Sequence, residues 1–234
     1  MMGEYLSALV ENLEKIEREQ AESLSRAADL VADVICRDGL IFTFGCGHSH
    51  LPGLDAFYRA GGLANVSPML DTDLMLHNGA AKSSRMEKMS GLAPEICRRY
   101  LPCENDMLFV FSASGKNQVP FEMANAARER GTTTVGISSS SYFEKGGKLH
   151  TAVDLHIDCM VPYGDAAIQV GDAMMGGLST SAACFILNYC LIEGAKRALA
   201  RGTVPPVYLS GNVEGGREHN VVLEELYLPR VKHL

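Results

Sequence analysis

The feature that most constrains the fold is an apolar run that ends in small hydroxyl residues and continues as a helix. Residues 109–111 (Phe-Val-Phe) have the aromatic and β-branched side chains of a buried strand, and Ser112-Ala113-Ser114-Gly115 follows directly. Residues 119–130 have the apolar spacing of a helix, which Gly131 closes. Such a turn places hydroxyl and backbone N–H groups at the positive end of the helix dipole. The stretch therefore predicts a site for a phosphate, whose oxygens only accept hydrogen bonds.

The rest of the chain repeats this alternation of strands and helices. The predicted strands cover residues 40–44, 63–70, 107–111, 132–137 and 153–157. Helices are predicted between them, and a last long helix is predicted over residues 178–201. Alternation at this spacing indicates an α/β fold, in which helices cover both faces of a parallel sheet of about five strands.

The first part of the chain reads as helix throughout. Residues 4–37 contain no Gly or Pro, and their apolar residues recur at helical spacing. We expect one long helix, or two helices in line with a break near Ser23. Part of this length is predicted to pack on the domain or on a partner subunit. The chain accordingly divides into an N-terminal helical segment (1–37), a central domain (38–202) and a tail (203–234).

A second polar loop, Gly45-Cys46-Gly47-His48-Ser49, follows the predicted strand 40–44. Ligands of open parallel sheets lie beyond the carboxyl ends of the strands, so two such loops indicate one shared site. The simpler interpretation of each loop is a tight turn with capping serines. A dinucleotide site is disfavoured, because His50 replaces the third glycine of Gly-x-Gly-x-x-Gly and Asp71 comes late after the second strand.

The charge balance argues against two classes of partner. The sequence has 21 basic and 28 acidic residues, which gives a net charge of −7, and it has no basic run. Nucleic acids and anionic membrane surfaces both need clustered Lys and Arg, so neither is expected as a partner. A phosphorylated metabolite needs only a few loop groups and stays compatible with this composition.

Cysteine usage and the first residues favour a cytoplasmic location. The seven cysteines show no paired Cys-x-x-Cys spacing, which favours free thiols. The first five residues have neither the basic nor the apolar region of a signal peptide. The apolar stretch 182–192 is interrupted by Asn188 and is too short to span a bilayer.

Three segments in order resemble the signature segments of the sugar isomerase (SIS) domain family. They are residues 42–49 (Phe-Thr-Phe-Gly-Cys-Gly-His-Ser), residues 106–117 around the Ser-x-Ser-Gly turn, and residues 131–138 (Gly-Thr-Thr-Thr-Val-Gly-Ile-Ser). With the long N-terminal helix, the resemblance covers nearly the whole chain. It implies a three-layer, flavodoxin-like fold, a phosphosugar ligand, and homodimers or homotetramers whose sites lie between subunits.

By position, the resemblance also implies which side chains bind the substrate. Four of them would hold the phosphate: Ser49, Ser112, Ser114 and Asn117. Most of the family has Ser or Thr at the last of these positions, and the amide found here can still donate a hydrogen bond. Further substrate contacts are predicted in the same two loops, at Gly47, His48 and Gly115.

Two branches of the family suggest two activities. In size the chain resembles phosphoheptose isomerases, but Asp55 and Arg59 stand where those enzymes have metal-binding His and Glu. Residues 171–188 resemble N-acetylmuramic acid 6-phosphate etherases, which use a glutamate in the segment before the Ser-x-Ser-Gly strand. Glu87 is the nearest counterpart and is a predicted catalytic residue. Its simpler interpretation is the capping box Ser84-Arg85-Met86-Glu87 at the start of a helix.

No metal and no other cofactor is predicted. Cys46, His48 and His50 are residue types that ligate zinc, and a zinc site in this loop is the alternative interpretation. No further set of ligands with suitable spacing accompanies them, so they are interpreted as ordinary loop residues.

The tail contains a second group of catalytic candidates. Residues 210–220 mix glycines with Asn, Glu, Arg and His, a composition that fits an active-site loop better than a core segment. Glu218 and His219 are predicted acid–base residues, because aldose–ketose isomerisation needs a base with a near-neutral pKa and an acid that opens the ring. Asn212 and Glu214 are predicted substrate contacts. The alternative is a solvated surface turn.

Together these observations predict a phosphosugar-binding protein, most simply an isomerase of a sugar phosphate or amino-sugar phosphate. One alternative is a lyase that removes a substituent from a phosphosugar with Glu87 as the acid–base group. The other alternative is a non-catalytic sensor, in which the same loops bind the ligand and no chemistry follows.

Overall fold

A computed structural model describes residues 3–234 of the chain. Besides five short 3₁₀ helices, these residues form fifteen α-helices and β-strands, in this order: α1 (Glu4–Glu19), α2 (Ala21–Cys36), β1 (Ile41–Gly45), α3 (Leu51–Ala56), β2 (Val66–Pro68), α4 (Ala80–Met86), α5 (Leu92–Tyr100), β3 (Met107–Phe111), α6 (Gln118–Arg128), β4 (Thr133–Ser138), β5 (Leu155–Asp158), β6 (Ala166–Val170), β7 (Ala173–Gly177), α7 (Ser179–Ala200) and α8 (Gly216–Tyr227). Within residues 3–234, no helix combines the length and the apolar character needed to cross a bilayer.

The main sheet confirms the predicted parallel α/β fold. Its five strands follow the order β2-β1-β3-β4-β5, and every neighbouring pair is parallel. This is the flavodoxin-like order, in which β1 and β3 are neighbours although β2 lies between them in the chain. The order of connection therefore reverses between β1 and β3, and the loops that leave these two strands open beside each other.

Helices cover both faces of the sheet because its strands are apolar on both sides. Along β3, Met107, Phe109 and Phe111 belong to one buried cluster, together with residues of α1, α2 and α7. Leu108 and Val110 point the other way, into a cluster shared with α5 and α6. Alternate residues of a strand face opposite sides of the sheet, so both faces need a helical cover. The result is the expected three-layer fold.

The N-terminal segment forms two helices rather than one, and the break lies at Gln20, three positions before the expected one. α2 buries an apolar face that includes Leu24, Val31 and Ile35, and it packs against α7 in the core. α1 buries only Asn12 and Ile16. The second half of the segment thus packs on its own domain.

Three local predictions were wrong or incomplete. The predicted capping box is wrong, because Ser84 lies inside α4 and Glu87 ends that helix instead of starting one. The glycine-rich passage before α7 is an antiparallel hairpin of β6 and β7, which the sequence interpretation did not contain. In the tail, residues 216–227 form the helix α8, so Glu218 and His219 lie on a helical turn rather than on a loop.

The contact of α2 with α7 depends on a glycine and yields a testable prediction. A Cβ atom on Gly194 would lie less than 3.0 Å from the side chain of Val31. We expect Gly194→Ala to lower the free energy of unfolding by about 1–3 kcal/mol, since extra atoms in a packed core force neighbouring groups to move. Urea unfolding followed by circular dichroism measures this change. Val31→Ala removes the Cγ1 atom from this contact and keeps the Cβ atom, so the double variant should lose less stability than the sum of the two single losses. A loss equal to that sum or larger would contradict the steric explanation.

Candidate functional site

The two polar loops predicted from the sequence lie side by side at the carboxyl end of the sheet. Gly45, the last residue of β1, pairs in register with Phe111, the last residue of β3. The loops after them therefore start at the same level on adjacent strands. This is the point where the order of strand connection reverses, which is where open α/β sheets bind their ligands.

The loop after β3 is held in one conformation by backbone hydrogen bonds. Gly115 donates its N–H to Ser112 O (2.8 Å) and its own carbonyl accepts from Lys148 N (2.8 Å). Its φ of +59° lies in the left-handed region that favours glycine. Asn117 is the N-cap residue of α6, so Ser114 and Asn117 flank the start of this helix. The loop is fixed before any ligand arrives.

Two backbone N–H groups at the start of α6 stay free for a ligand. Val119 N donates to Glu87 O (3.0 Å), and Pro120 has no N–H to donate. Within the part of the chain that the structure describes, the N–H groups of Asn117 and Gln118 have no acceptor. These donors point along the helix axis with the positive end of its dipole behind them.

The loop after β1 is equally constrained. A Cβ atom on Gly45 would lie less than 3.0 Å from Ser49 O, so only glycine lets the loop fold back this tightly. His50 is buried and its Nδ1 hydrogen-bonds Gly47 O, whereas His48 is exposed. Burial lowers the pKa of His50, which therefore stays neutral at physiological pH. His50 supports the loop, and Ser49 and His48 are left to meet a ligand.

A narrow crevice lies between the two loops and the start of α7. Its walls include these residues: Ser49, Phe111, Ser112, Ile137, Ser179 and Thr180. The crevice has a volume of about 10 Å³, which is room for about one water molecule. Sequence reasoning included Ser49 and Ser112 but missed Ser179 and Thr180. Both lie in the stretch 171–188 that resembles the etherases, but only the course of α7 across the sheet brings them to the crevice.

Glu87 lies beside the loop after β3, although not as a capping residue. Its backbone carbonyl accepts the N–H of Val119 in the first turn of α6, which ties the end of α4 to the loop. Burial raises the pKa of the Glu87 carboxyl, and the nearby Lys88 and Asn117 oppose this rise. A half-buried carboxyl with a raised pKa can exchange a proton closer to neutral pH than an ordinary glutamate can.

Cys46 is buried near the carboxylates of Glu87 and Asp71, and its thiol is unreactive. Burial raises the pKa of its thiol, and the charges of Glu87 and Asp71 raise it further. The thiol therefore stays protonated, which makes it a poor metal ligand and a poor nucleophile. No three His, Cys, Asp or Glu residues among positions 3–234 are arranged to hold a metal ion. Cys46, His48 and His50 belong to one loop without forming such a set.

The catalytic residues predicted in the tail lie away from the crevice. Glu218 and His219 are exposed on the first turn of α8, and His219 Nε2 is 2.9 Å from Val207 O. Val207 in turn forms a β-bridge with Leu63, which precedes the first residue of β2. The start of α8 thus packs near the amino end of β2. Neither residue lines the crevice, and Asn212 and Glu214 are exposed in the preceding turn.

Asp55 and Arg59, which replace the metal-binding pair of phosphoheptose isomerases, bind each other. They form an ion pair across one turn, and the Asn188 amide of α7 donates to Asp55 Oδ2 at 3.2 Å. The carboxylate of Asp55 is therefore engaged in holding α7 against the segment around α3. This arrangement serves packing between two elements rather than a metal.

Comparison with known proteins agrees with this geometry. Residues 4–139 match the family model described as the SIS domain. The UPF0309 protein of Thermoanaerobacter pseudethanolicus is 38% identical over 247 residues and covers 100% of both chains. A UPF0309 protein of Geobacillus thermodenitrificans is 37% identical and covers 99% of this chain and 96% of its own.

Solved structures of low sequence identity share the fold. The phosphoheptose isomerase GmhA of Neisseria gonorrhoeae superimposes with a TM-score of 0.53 at 18% identity, over 80% of this chain and 94% of its own. The Vibrio vulnificus NanR protein complexed with ManNAc-6P reaches a TM-score of 0.55 at 15% identity, over 96% of this chain and 68% of its own.

Proposed function

Because this chain belongs to the SIS domain family and to the UPF0309 proteins, we propose that it binds a phosphorylated sugar at the carboxyl ends of β1 and β3. One observation carries the proposal: a rigid Ser-x-Ser-Gly loop opens into a helix whose first free N–H groups belong to Asn117 and Gln118. Proteins commonly bind phosphate groups with oriented backbone N–H groups at the start of a helix. The second loop, with Ser49, borders the same site.

The phosphate in this proposal sits over the start of α6. Ser114 and the Asn117 side chain flank it, and the two free N–H groups lie beneath it. Ser112 and Ser49 line the adjoining crevice, so the sugar extends from α6 towards the loop after β1. Gly47, His48 and Gly115 complete the contacts that we propose for the substrate.

Glu87 is the acid–base residue that we propose for catalysis. It is close to residues 112–117, which we call the phosphate loop, and its raised pKa suits proton transfer. In an aldose–ketose isomerisation this carboxylate would take the proton from the hydroxyl-bearing carbon next to the carbonyl group and return it to the former carbonyl carbon, while the hydroxyl proton passes to the carbonyl oxygen. Glu218 and His219 remain a proposed second acid–base pair, which would act on the site of a neighbouring subunit.

The position of Glu87 also favours the alternative activity, a lyase. Elimination of a substituent from a phosphosugar needs the same carboxylate to remove a proton, after which the substituent leaves. Product mass distinguishes the two reactions, since an isomerase keeps the mass of the phosphosugar and a lyase releases a second product. NanR, a protein of this fold, has been solved in complex with the sugar phosphate ManNAc-6P. In the sensor alternative, the same loops of this chain would bind such a ligand and no chemistry would follow.

Thermal-shift measurements with a panel of sugar phosphates test the binding proposal. A ligand at about 100 times its Kd stabilises the native state by about 2.7 kcal/mol, which for a chain of this size raises Tm by about 5–10 °C. We expect at least one aldose or ketose phosphate to produce this shift, whereas the same sugars without phosphate leave Tm unchanged. If no phosphorylated sugar raises Tm, the proposed function is wrong.

A further inference from the structure

The crevice beside the phosphate loop has a second polar wall, which the proposed function leaves unused. This wall is the first turn of α7, a helix of 22 residues that begins at Ser179. Thr180 and Ser179 line the crevice opposite Ser49 and Ser112. The substrate therefore meets the starts of two helices, α6 and α7, rather than one.

The donors at the start of α7 are only partly used. Asp165 accepts the N–H of Ser179 at 2.8 Å and its hydroxyl at 2.5 Å, and it also accepts the N–H of Leu178. The N–H groups of Thr180 and Ser181 have no acceptor within residues 3–234, and neither does the Thr180 hydroxyl. One carboxylate thus fixes the helix start and leaves its next donors free.

A buried hydroxyl on the other wall points to a ligand in the same crevice. Ser112 is 6% exposed, and its hydroxyl group has no hydrogen-bond partner in the described part of the chain. The hydroxyl is not sealed from solvent, so it is free to donate a hydrogen bond to a group that enters the crevice. The volume of about 10 Å³ admits one oxygen-sized group and not a whole phosphate.

We propose that this crevice, between Ser112 and the first turn of α7, binds one oxygen of a carboxylate on the substrate. The inference rests on the proposed phosphosugar site and names its ligand class, which is a phosphorylated sugar that carries a carboxylate away from its phosphate. Free N–H groups, hydroxyl donors and the positive end of a long helix together favour an anionic oxygen over a neutral one. Thr180 is then a specificity-determining residue of the site.

Two compounds that differ only at one end test the proposal. 6-Phosphogluconate ends in a carboxylate where sorbitol 6-phosphate ends in a hydroxymethyl group, and both carry the same phosphate. Isothermal titration calorimetry of the full chain should show 6-phosphogluconate binding at least about 10-fold tighter, the difference of one hydrogen bond to a charged group. Inorganic phosphate serves as the probe for the α6 site alone.

Variants on α7 assign the preference to Thr180. Thr180→Val keeps the side-chain shape and removes the hydroxyl group, so it should lower the affinity for 6-phosphogluconate about 5- to 10-fold. The affinities for sorbitol 6-phosphate and inorganic phosphate should stay within about 2-fold of those of the parent chain, because these compounds do not bind the Thr180 hydroxyl. Ser181→Ala is the matched control, since its side chain does not line the crevice. Both variants should keep the Tm of the parent chain within about 2 °C.

The outcomes separate this inference from the proposed function. Equal affinity for the two compounds means that the crevice holds only an ordered water, and it overturns the inference while the phosphate site stands. A loss in Thr180→Val that affects both compounds alike also overturns it. If neither compound nor inorganic phosphate binds, the inference is overturned, and the proposed function is then decided by the thermal-shift panel of sugar phosphates. A carboxylate preference that Thr180→Val removes and Ser181→Ala keeps supports the inference.

Discussion

The double variant Ser112→Ala, Ser114→Ala is expected to weaken sugar-phosphate binding at least about 100-fold, because each hydroxyl supplies a hydrogen bond to a charged or polar ligand group worth about 1.5–3 kcal/mol. The loop itself should keep its shape, since Gly115 is held by backbone contacts to Ser112 O and Lys148 N that need no serine side chain. Calorimetric titration with the sugar phosphate that gives the largest thermal shift measures the loss.

A matched variant keeps this result specific to the loop. Ser7→Ala with Thr203→Ala removes two hydroxyl groups, in α1 and beyond the end of α7, away from the loop, and should leave the affinity unchanged. Far-ultraviolet circular dichroism and Tm should be the same for both double variants. Unchanged sugar-phosphate affinity in Ser112→Ala, Ser114→Ala would show that the phosphate does not bind at this loop.

The layout of the sheet could be predicted from the sequence because its strands are buried on both faces. A run such as 107–111 is apolar at every position, and its predicted boundaries agree with β3. The edge strand β2 is shorter than predicted, because only Val66–Pro68 pair with β1. Leu63 and Ala64 pair instead with the tail, through the bridge of Leu63 to Val207 and the hydrogen bond from Ala64 N to Pro206 O. A pattern of residue types does not contain the choice of that distant partner.

The two strand-end loops were predictable for a different reason. Tight turns need particular residues, and Gly45 and Gly115 occupy positions where a Cβ atom or a left-handed backbone excludes most others. These requirements are local and so they are visible in the sequence. The crevice wall made by Thr180 is not local, because it depends on where α7 crosses the sheet some 65 residues later in the chain than Gly115.

The tail shows how composition alone can mislead. Glycines around Glu214 and Glu218 suggested a loop, yet Gly215 has a φ of +74° and precedes the first residue of α8. Asn220 then hydrogen-bonds the backbone N and O of Leu209 at 2.9 Å each, which fixes the helix against the segment before it. Polar residues that looked catalytic in this stretch are partly engaged in holding the tail.

Glu87→Gln is expected to lower turnover about 10²- to 10⁴-fold while the affinity for the sugar phosphate stays within about 3-fold, since the amide keeps the shape and cannot exchange a proton. Turnover is followed by NMR of the phosphosugar, which also shows whether a second product is released. Glu104→Gln is the matched control, because that side chain is exposed and remote from the loop. Full turnover in Glu87→Gln would move the acid–base role to Glu218 and His219, which Glu218→Gln and His219→Ala then test.

The pH profile gives Glu87 a signature that a structural role would not produce. Burial raises the pKa of its carboxyl, so the active carboxylate is lost as the pH falls through a value above that of an ordinary glutamate. Asn117 lowers the same pKa by favouring the charged form. Asn117→Ala should therefore move the acid limb of kcat to higher pH. If the acid limb stays in place in Asn117→Ala and is still present in the Glu87 variants, Glu87 is not the group that titrates.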